Sequence, residues 1–156
     1  FTAVAGQPVH VINDADAAGL AEVRYGAGKD RDGVVLMLTL GTGIGSGLFN
    51  DGELVPNTEL GHLELDGKDA EDHAAPSARD REDLSWKKWA QRLDRYLRHV
   101  AFLFSPDLVI LGGGVSRKPE KWWEYLTITD DIEIVPAELE NEAGIVGAAL
   151  IAQHAV

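Results

Sequence analysis

Apolar residues in this chain come in short runs broken by glycine, proline and acidic turns. Val9 to Ile12, Val34 to Leu40 and Leu108 to Leu111 are aliphatic and β-branched, and read as buried strands. Ile132 to Val135 reads as the last strand. Elsewhere the period is helical. Ala17 to Tyr25 carries Leu20, Ala21 and Val23 behind the cap-type residues Asn13-Asp14-Ala15-Asp16, and Gly26-Ala27-Gly28 stops it before a polar loop from Lys29 to Gly33. Trp86, Trp89, Leu93, Tyr96, Leu97, Val100, Leu103 and Phe104 recur on one wide helical face, with Lys88, Arg92, Arg95 and His99 on the other. Ser105-Pro106 ends that helix. Ala143 to Ala155 is a helix of small apolar residues whose Gly144 and Gly147 imply close packing on a neighbour. Strands alternating with helices define an α/β fold.

Glycine gives the middle of the chain its character. Gly41, Gly43, Gly45 and Gly47 alternate after the Val34–Leu40 run, Leu48-Phe49 resumes a strand, and Asn50-Asp51-Gly52 signals a tight hairpin turn. Gly61 to Leu65 alternates like a further strand. Residues 66–83 are crowded with Asp, Glu, Lys, Arg and Ala, and read as a mobile loop.

Composition narrows the options. The chain has 156 residues, a single-domain length, with 45% apolar residues and a net charge of −12. An acidic surface argues against a nucleic-acid partner. No apolar run has the length of a membrane span. There is no cysteine, so disulfides and thiolate metal sites are excluded and a reducing, cytoplasmic setting fits. Phe1 has neither a charged region before it nor an apolar core after it, so no signal peptide is expected, and the opening residues read as the middle of something longer. Seven of the 14 Lys and Arg residues lie between positions 79 and 98. They serve either solubility and ion pairing or an anionic ligand.

Three constellations have chemical potential. Asn13-Asp14 lies between a strand and a helix, where open α/β sheets bind ligands. Asp14 either deprotonates a hydroxyl there or caps the helix. Gly41-Thr42-Gly43-Ile44-Gly45 either lets backbone N–H groups and the Thr42 hydroxyl cradle a phosphate, or is a plain bend. It lacks the Gly-Lys-Ser/Thr of a Walker loop. Glu59, His62 and Glu64 suit sugar hydroxyls, but also suit a metal or an ordinary surface. Gly112-Gly113-Gly114 either admits a nucleotide or turns the chain.

Val11-Ile12-Asn13-Asp14-Ala15-Asp16-Ala17-Ala18-Gly19, Leu40-Gly41-Thr42-Gly43-Ile44-Gly45-Ser46-Gly47 and Glu59-Leu60-Gly61-His62, in that order, resemble the ROK family of sugar kinases and repressors. Leu84-Ser85-Trp86-Lys87-Lys88-Trp89, the stretch from Ser105 to Ser116 and the stretch from Asn141 to Ala149 resemble its polyphosphate-using bacterial glucokinases. The resemblance implies one ribonuclease-H-like lobe of the actin-like ATPase fold. Residues 1–156 would be the C-terminal lobe, and the N-terminal phosphate-binding lobe lies outside this chain. It also implies Asp14 as general base, Asn13, Glu59, His62 and less firmly Glu64 as glucose ligands, Gly41, Thr42, Gly43 and Gly45 on phosphate, and Gly112, Gly113 and Gly114 at a nucleotide. Arg79, Lys88, Arg92 and Arg95 would form a polyphosphate path.

The implied partners are glucose, polyphosphate, ATP, the other lobe and a second subunit in a homodimer, to which the Trp122-Trp123 pair would contribute if exposed. Mg²⁺ would accompany the phosphoryl donor. The family's zinc site of cysteines and a histidine has no cysteines here, so His62 is not expected to hold zinc. An ATP-only glucokinase or glucomannokinase, and the sugar-sensing lobe of a repressor, are the rival expectations.

Overall fold

The computed structural model describes residues 6, 9, 11–139 and 142–154. A five-stranded sheet in the order β3-β2-β1-β6-β7 forms its centre. β1 (Val34–Leu40) pairs antiparallel with β2 (Ile44–Asn50), which pairs antiparallel with β3 (Glu53–Val55). On its other side β1 pairs parallel with β6 (Leu108–Gly112), and β6 with β7 (Ile134–Pro136). Asp51 and Gly52 both have positive φ, 49° and 81°, as a two-residue hairpin turn requires.

β1 is continuously apolar because both its faces are covered. Leu36, Leu38 and Leu40, with Val109 and Leu111, pack with Trp89, Leu93, Tyr96, Leu97 and Val100. Those five residues come from α4 (Trp86–Phe104). Val35, Met37, Phe49, Leu108 and Ile110 meet Ala18, Leu20 and Val23 of α1 (Asp14–Tyr25). Alternate residues of each strand thus serve opposite layers. Ser85 caps α4 by accepting the Lys88 N–H, and Ser105, at φ 44°, closes it. Leu103, expected on the apolar face, is largely exposed, while Phe104 packs against the core. Trp122 is fully buried and Trp123 partly so.

Several expectations are corrected. Val9, Val11 and Ile12 form no strand, and Val11 is 83% exposed; His10 lies outside the described residues. An apolar β-branched run makes a strand only when a ladder partner is present. Gly45 and Gly47 belong to β2, so the bend is confined to Gly41–Gly43. Gly61 lies in a 3₁₀ turn, Leu60–His62, and only Glu64–Leu65 (β4) is extended.

Residues 66–83 are structured. β5 (Lys68–Asp69) pairs with β4, then α2 (Glu71–Ala74) and α3 (Pro76–Arg81) follow. Ala70, Ala74, Ala75 and Ala78 are completely buried, and the Trp89 indole N–H donates to the Ala74 carbonyl at 2.9 Å and the Ala75 carbonyl at 3.2 Å. These small residues bind the segment to the core from beneath its charged exterior.

α5 (Ala143–His154) lies against α1; Ala155, in the expected helix, is outside the described residues. At Gly147 a Cβ would overlap the Ala17 carbonyl. Gly147→Ala must push the two helices apart and is expected to cost about 1–3 kcal/mol, as overpacking does. The urea midpoint of the variant, compared with wild type, measures it.

Candidate functional site

Parallel pairing sets Thr39 opposite Gly112, so β1 and β6 end side by side. A cleft of about 400 Å³ opens at that edge, lined by Asn13, Asp14, Gly41–Gly45, Glu59, Glu71 and Gly113 among others. It gathers half of the sequence-predicted residues: Asn13, Asp14, Gly41, Thr42, Gly43, Gly45, Glu59 and Gly113. The first turn of α1 positions them. Asn13 is the helix cap: its Oδ1 accepts the N–H of Ala15 at 2.8 Å and of Asp16 at 3.3 Å. Asp14 also accepts the Ala15 N–H, at 2.8 Å, yet it remains exposed at the cleft. The cap function therefore falls on Asn13 and leaves the Asp14 carboxylate accessible.

Asp16 faces inward. It is 1% exposed, and its Oδ2 accepts the Asn57 N–H at 2.9 Å while Oδ1 has no partner. Burial pushes its pKa up, the Asn57 N–H pulls it down, and the charges of Glu59 and Asp14 raise it further. Next along the loop, Ser46 Oγ donates to the Thr58 carbonyl and accepts the Leu60 N–H at 3.0 Å. These bonds fasten both sides of Glu59 and hold it at the cleft.

The glycines have separate uses. Gly41 is open, with room for a ligand against its backbone. A Cβ on Gly43 would overlap the Glu71 carboxylate, whose Oε2 accepts the Ile44 N–H at 3.0 Å. A Cβ on Gly45 would come 2.5 Å from Thr39 Oγ1 and 3.0 Å from Ala15 Cβ, so a side chain there would press on β1 and on the first turn of α1. Gly113 has φ +88°, and a Cβ would come 2.7 Å from the Leu40 nitrogen. It lets β6 close against the end of β1. Gly112 is packed on Met37, and Gly114 is open.

Glu71 was not singled out in the sequence. It sits inside an acidic run, and nothing local marks it out; only the folding of 66–83 over β2 brings it to the cleft. Glu64 is exposed on β4 and does not line the cleft. His62 is exposed and is not among the residues lining the cleft, but lies beside Glu71, which is: its Nδ1 is 2.8 Å from Asp69 Oδ2 and 3.9 Å from Glu71 Oε1. Its pKa is raised, by the Asp69 hydrogen bond first and the Glu71 charge second.

A second cleft of about 380 Å³ shares Leu40, Gly41 and Thr42 with the first and continues past Ser77, Arg79, Trp86, Gly114 and Lys118. The Ser77 hydroxyl donates to the Thr42 carbonyl. The Arg79 guanidinium lies 3.9 Å from the centre of the Trp86 ring. Of the four basic residues expected on a polyphosphate path, only Arg79 lines a cleft. Arg92 is paired with Glu82 at 2.7 Å, Arg95 with Asp66 at 2.6 Å, and Lys88 is exposed on α4. A larger cavity, about 640 Å³ between α1, the β2–β3 turn and α5, holds none of the predicted residues.

A sheet covered on both sides, with a glycine-rich loop and an exposed aspartate at its carboxyl edge, has the actin-like ATPase fold of the ROK sugar kinases it matches. The chain belongs to the ROK family, whose model matches residues 1–83. It is similar to the polyphosphate glucokinase of Mycobacterium tuberculosis, 53% identical over 145 residues, covering 93% of this chain and 54% of that protein. It also matches the crystal structure of an inorganic polyphosphate/ATP-glucomannokinase from Arthrobacter sp. strain KM, with TM-score 0.93 and 57% identity, over 99% of this chain and 60% of that one. A ROK hexokinase from Thermus thermophilus matches with TM-score 0.81 and 29% identity, over 96% of this chain and 68% of that one. The chain thus spans about half the length of the curated relatives it matches most strongly.

The raised pKa of Asp16 has a measurable consequence. A carboxyl that holds its proton more tightly folded than unfolded lowers stability as pH rises from the ordinary aspartate range to its folded pKa. Asp16→Asn keeps an acceptor for Asn57 and removes the buried charge. Urea unfolding between about pH 4 and about pH 8 is expected to show the variant gaining on wild type as pH rises; a constant gap would refute this.

Proposed function

We propose that this chain is the hexose-binding and catalytic-base lobe of a sugar kinase that transfers a phosphoryl group from polyphosphate or ATP to the 6-hydroxyl of glucose. A second, N-terminal lobe completes the phosphate clamp. The observation that carries this reading is the accessible Asp14 carboxylate, spared from capping by Asn13, in one cleft with the Gly41–Gly45 loop. The names of the similar proteins support the substrate class.

In this reading Glu59, Glu71 and His62 hold the far end of the sugar, and the Asn13 side-chain amide, whose oxygen is committed to the cap, donates to a hydroxyl. Anchoring one end aims the 6-hydroxyl at the donor. Asp14 takes the hydroxyl proton as the new phosphorus–oxygen bond forms and the bond to the departing phosphate breaks. The Thr42 hydroxyl stabilises the donor's phosphate charge, and Gly41, whose own N–H is bonded to the Gly43 carbonyl at 3.0 Å, leaves room for the phosphate against the loop. Mg²⁺ is expected to arrive with the donor. Among the described residues no group of three or more His, Cys, Asp or Glu gathers to hold a metal by itself, which fits an ion carried largely by the donor's own phosphates.

The donor tail leaves Thr42 through the second cleft, between Arg79 and Lys118. In ATP use the nucleoside lies toward Gly114 in the same cleft. The outer face of α4 is a weaker path: Arg79, Arg92 and Arg95 each have a carboxylate partner, but of the three Arg79 alone lines the second cleft. Against a net charge of −12 the path is narrow, and polyphosphate use should fall steeply with salt.

Asp14→Asn in the full-length kinase is expected to lower kcat by roughly 10²–10⁴-fold with little change in glucose KM; undiminished turnover removes Asp14 from the chemistry. Arg79→Gln with Lys118→Gln is expected to raise the polyphosphate KM roughly tenfold more than the ATP KM. Equal losses with both donors would dismiss the proposed tail path.

A further inference from the structure

His62 is held by more than its place in the chain. It ends the 3₁₀ turn that begins at Leu60, whose N–H is bound by Ser46 Oγ. Its Nδ1 lies 2.8 Å from Asp69 Oδ2. Asp69 is itself fixed, because β5 pairs Asp69 with Glu64, the following Ala70 N–H donates to the Leu63 carbonyl at 2.9 Å, and Ala70 is fully buried. The hairpin tip is tied to α4 by the Asp66–Arg95 pair. Two residues beyond Asp69 comes Glu71, which lines the cleft and lies 3.9 Å from the same ring nitrogen. The imidazole is thus flanked by two carboxylates from one short segment.

We propose that Asp69 is a positioning residue of the hexose site: it accepts the Nδ1–H of His62 and fixes the ring so that Nε2 is the nitrogen left for a sugar hydroxyl. The inference rests on the hexose-kinase reading above. A carboxylate on one nitrogen of an imidazole sets which nitrogen carries the proton and how the ring is turned. The protonated ring also presents Nε2–H as a donor. The groups facing His62 all favour that state: Asp69 by its hydrogen bond, then Glu71, with Glu59 adding its charge. Sugar affinity through Nε2–H is therefore full at lower pH and declines as the ring loses its proton. Without Asp69, that decline moves to lower pH.

The test uses the full-length kinase with saturating donor, and compares Asp69→Ala, Asp69→Asn and His62→Gln across pH. Asp69→Ala is expected to raise glucose KM roughly tenfold while kcat stays within about twofold, at an unchanged urea midpoint. Asp69→Asn, which keeps an acceptor but not the charge, should recover most of the KM at low pH and shift the alkaline fall of kcat/KM to lower pH. An active enzyme in which Asp69→Ala keeps the wild-type KM and pH profile overturns the positioning role and leaves the kinase reading intact. So does a loss confined to the urea midpoint. A wild-type enzyme that phosphorylates no hexose overturns both.

Discussion

The free N–H groups of the first turn of α1 need acceptors, and the arrangement of the cleft follows from which side chain supplies them. Asn13 does, through a single oxygen shared by two N–H groups. Asp14 can then face outward as a carboxylate, and Asp16, two positions further round the turn, points into the protein. Its bond to Asn57 brings the loop carrying Glu59 back to the same helix end. Helical geometry thus gives the three polar side chains among these four residues different places: Asn13 on the helix end, Asp14 at the cleft and Asp16 in the interior.

Glycine matters here by subtraction. Gly43 and Gly61 leave the volume that the Glu71 carboxylate fills, and the Ile44 N–H gives that carboxylate a fixed bond. Gly113 lets the end of β6 lie against the end of β1. The cleft floor is thus backbone, and its polar side chains enter from the edges. In that floor the Ile44 N–H is taken by Glu71 and the Gly41 N–H by the Gly43 carbonyl, so the loop is held in shape from within and leaves the Thr42 side chain at the cleft.

The strands β1 and β6, the helices α1 and α4 and the Asp51-Gly52 turn were legible because each is carried by a local period or a turn dipeptide. So were Asn13, Asp14, Glu59 and the glycine loop, which lie at the ends of those elements. Glu71 was not legible: its place depends on residues 66–83 folding over β2, and that folding is driven by four buried alanines scattered among charges. Val9 to Ile12 misled for the converse reason, an apolar run with strand composition and no ladder. The basic face of α4 was correctly placed on the helix, but periodicity does not reveal that Glu82 and Asp66 come from other elements to meet it.

All four tryptophans of the chain stand in one chain of ring contacts, Trp86 to Trp89 to Trp122 to Trp123, with centroids 5.3–5.8 Å apart. Trp86 borders the second cleft beneath Arg79, and Trp89 is bonded to the segment that delivers Glu71. The tryptophan fluorescence of this chain therefore comes from one contiguous cluster that reaches the second cleft at Trp86 and the segment carrying Glu71 at Trp89. Occupancy of the cleft at Trp86, and loosening of the segment at Trp89, converge on the same emission band, one by quenching and the other by exposing an indole to water. The fold carries its own optical readout of the region on which its chemistry depends.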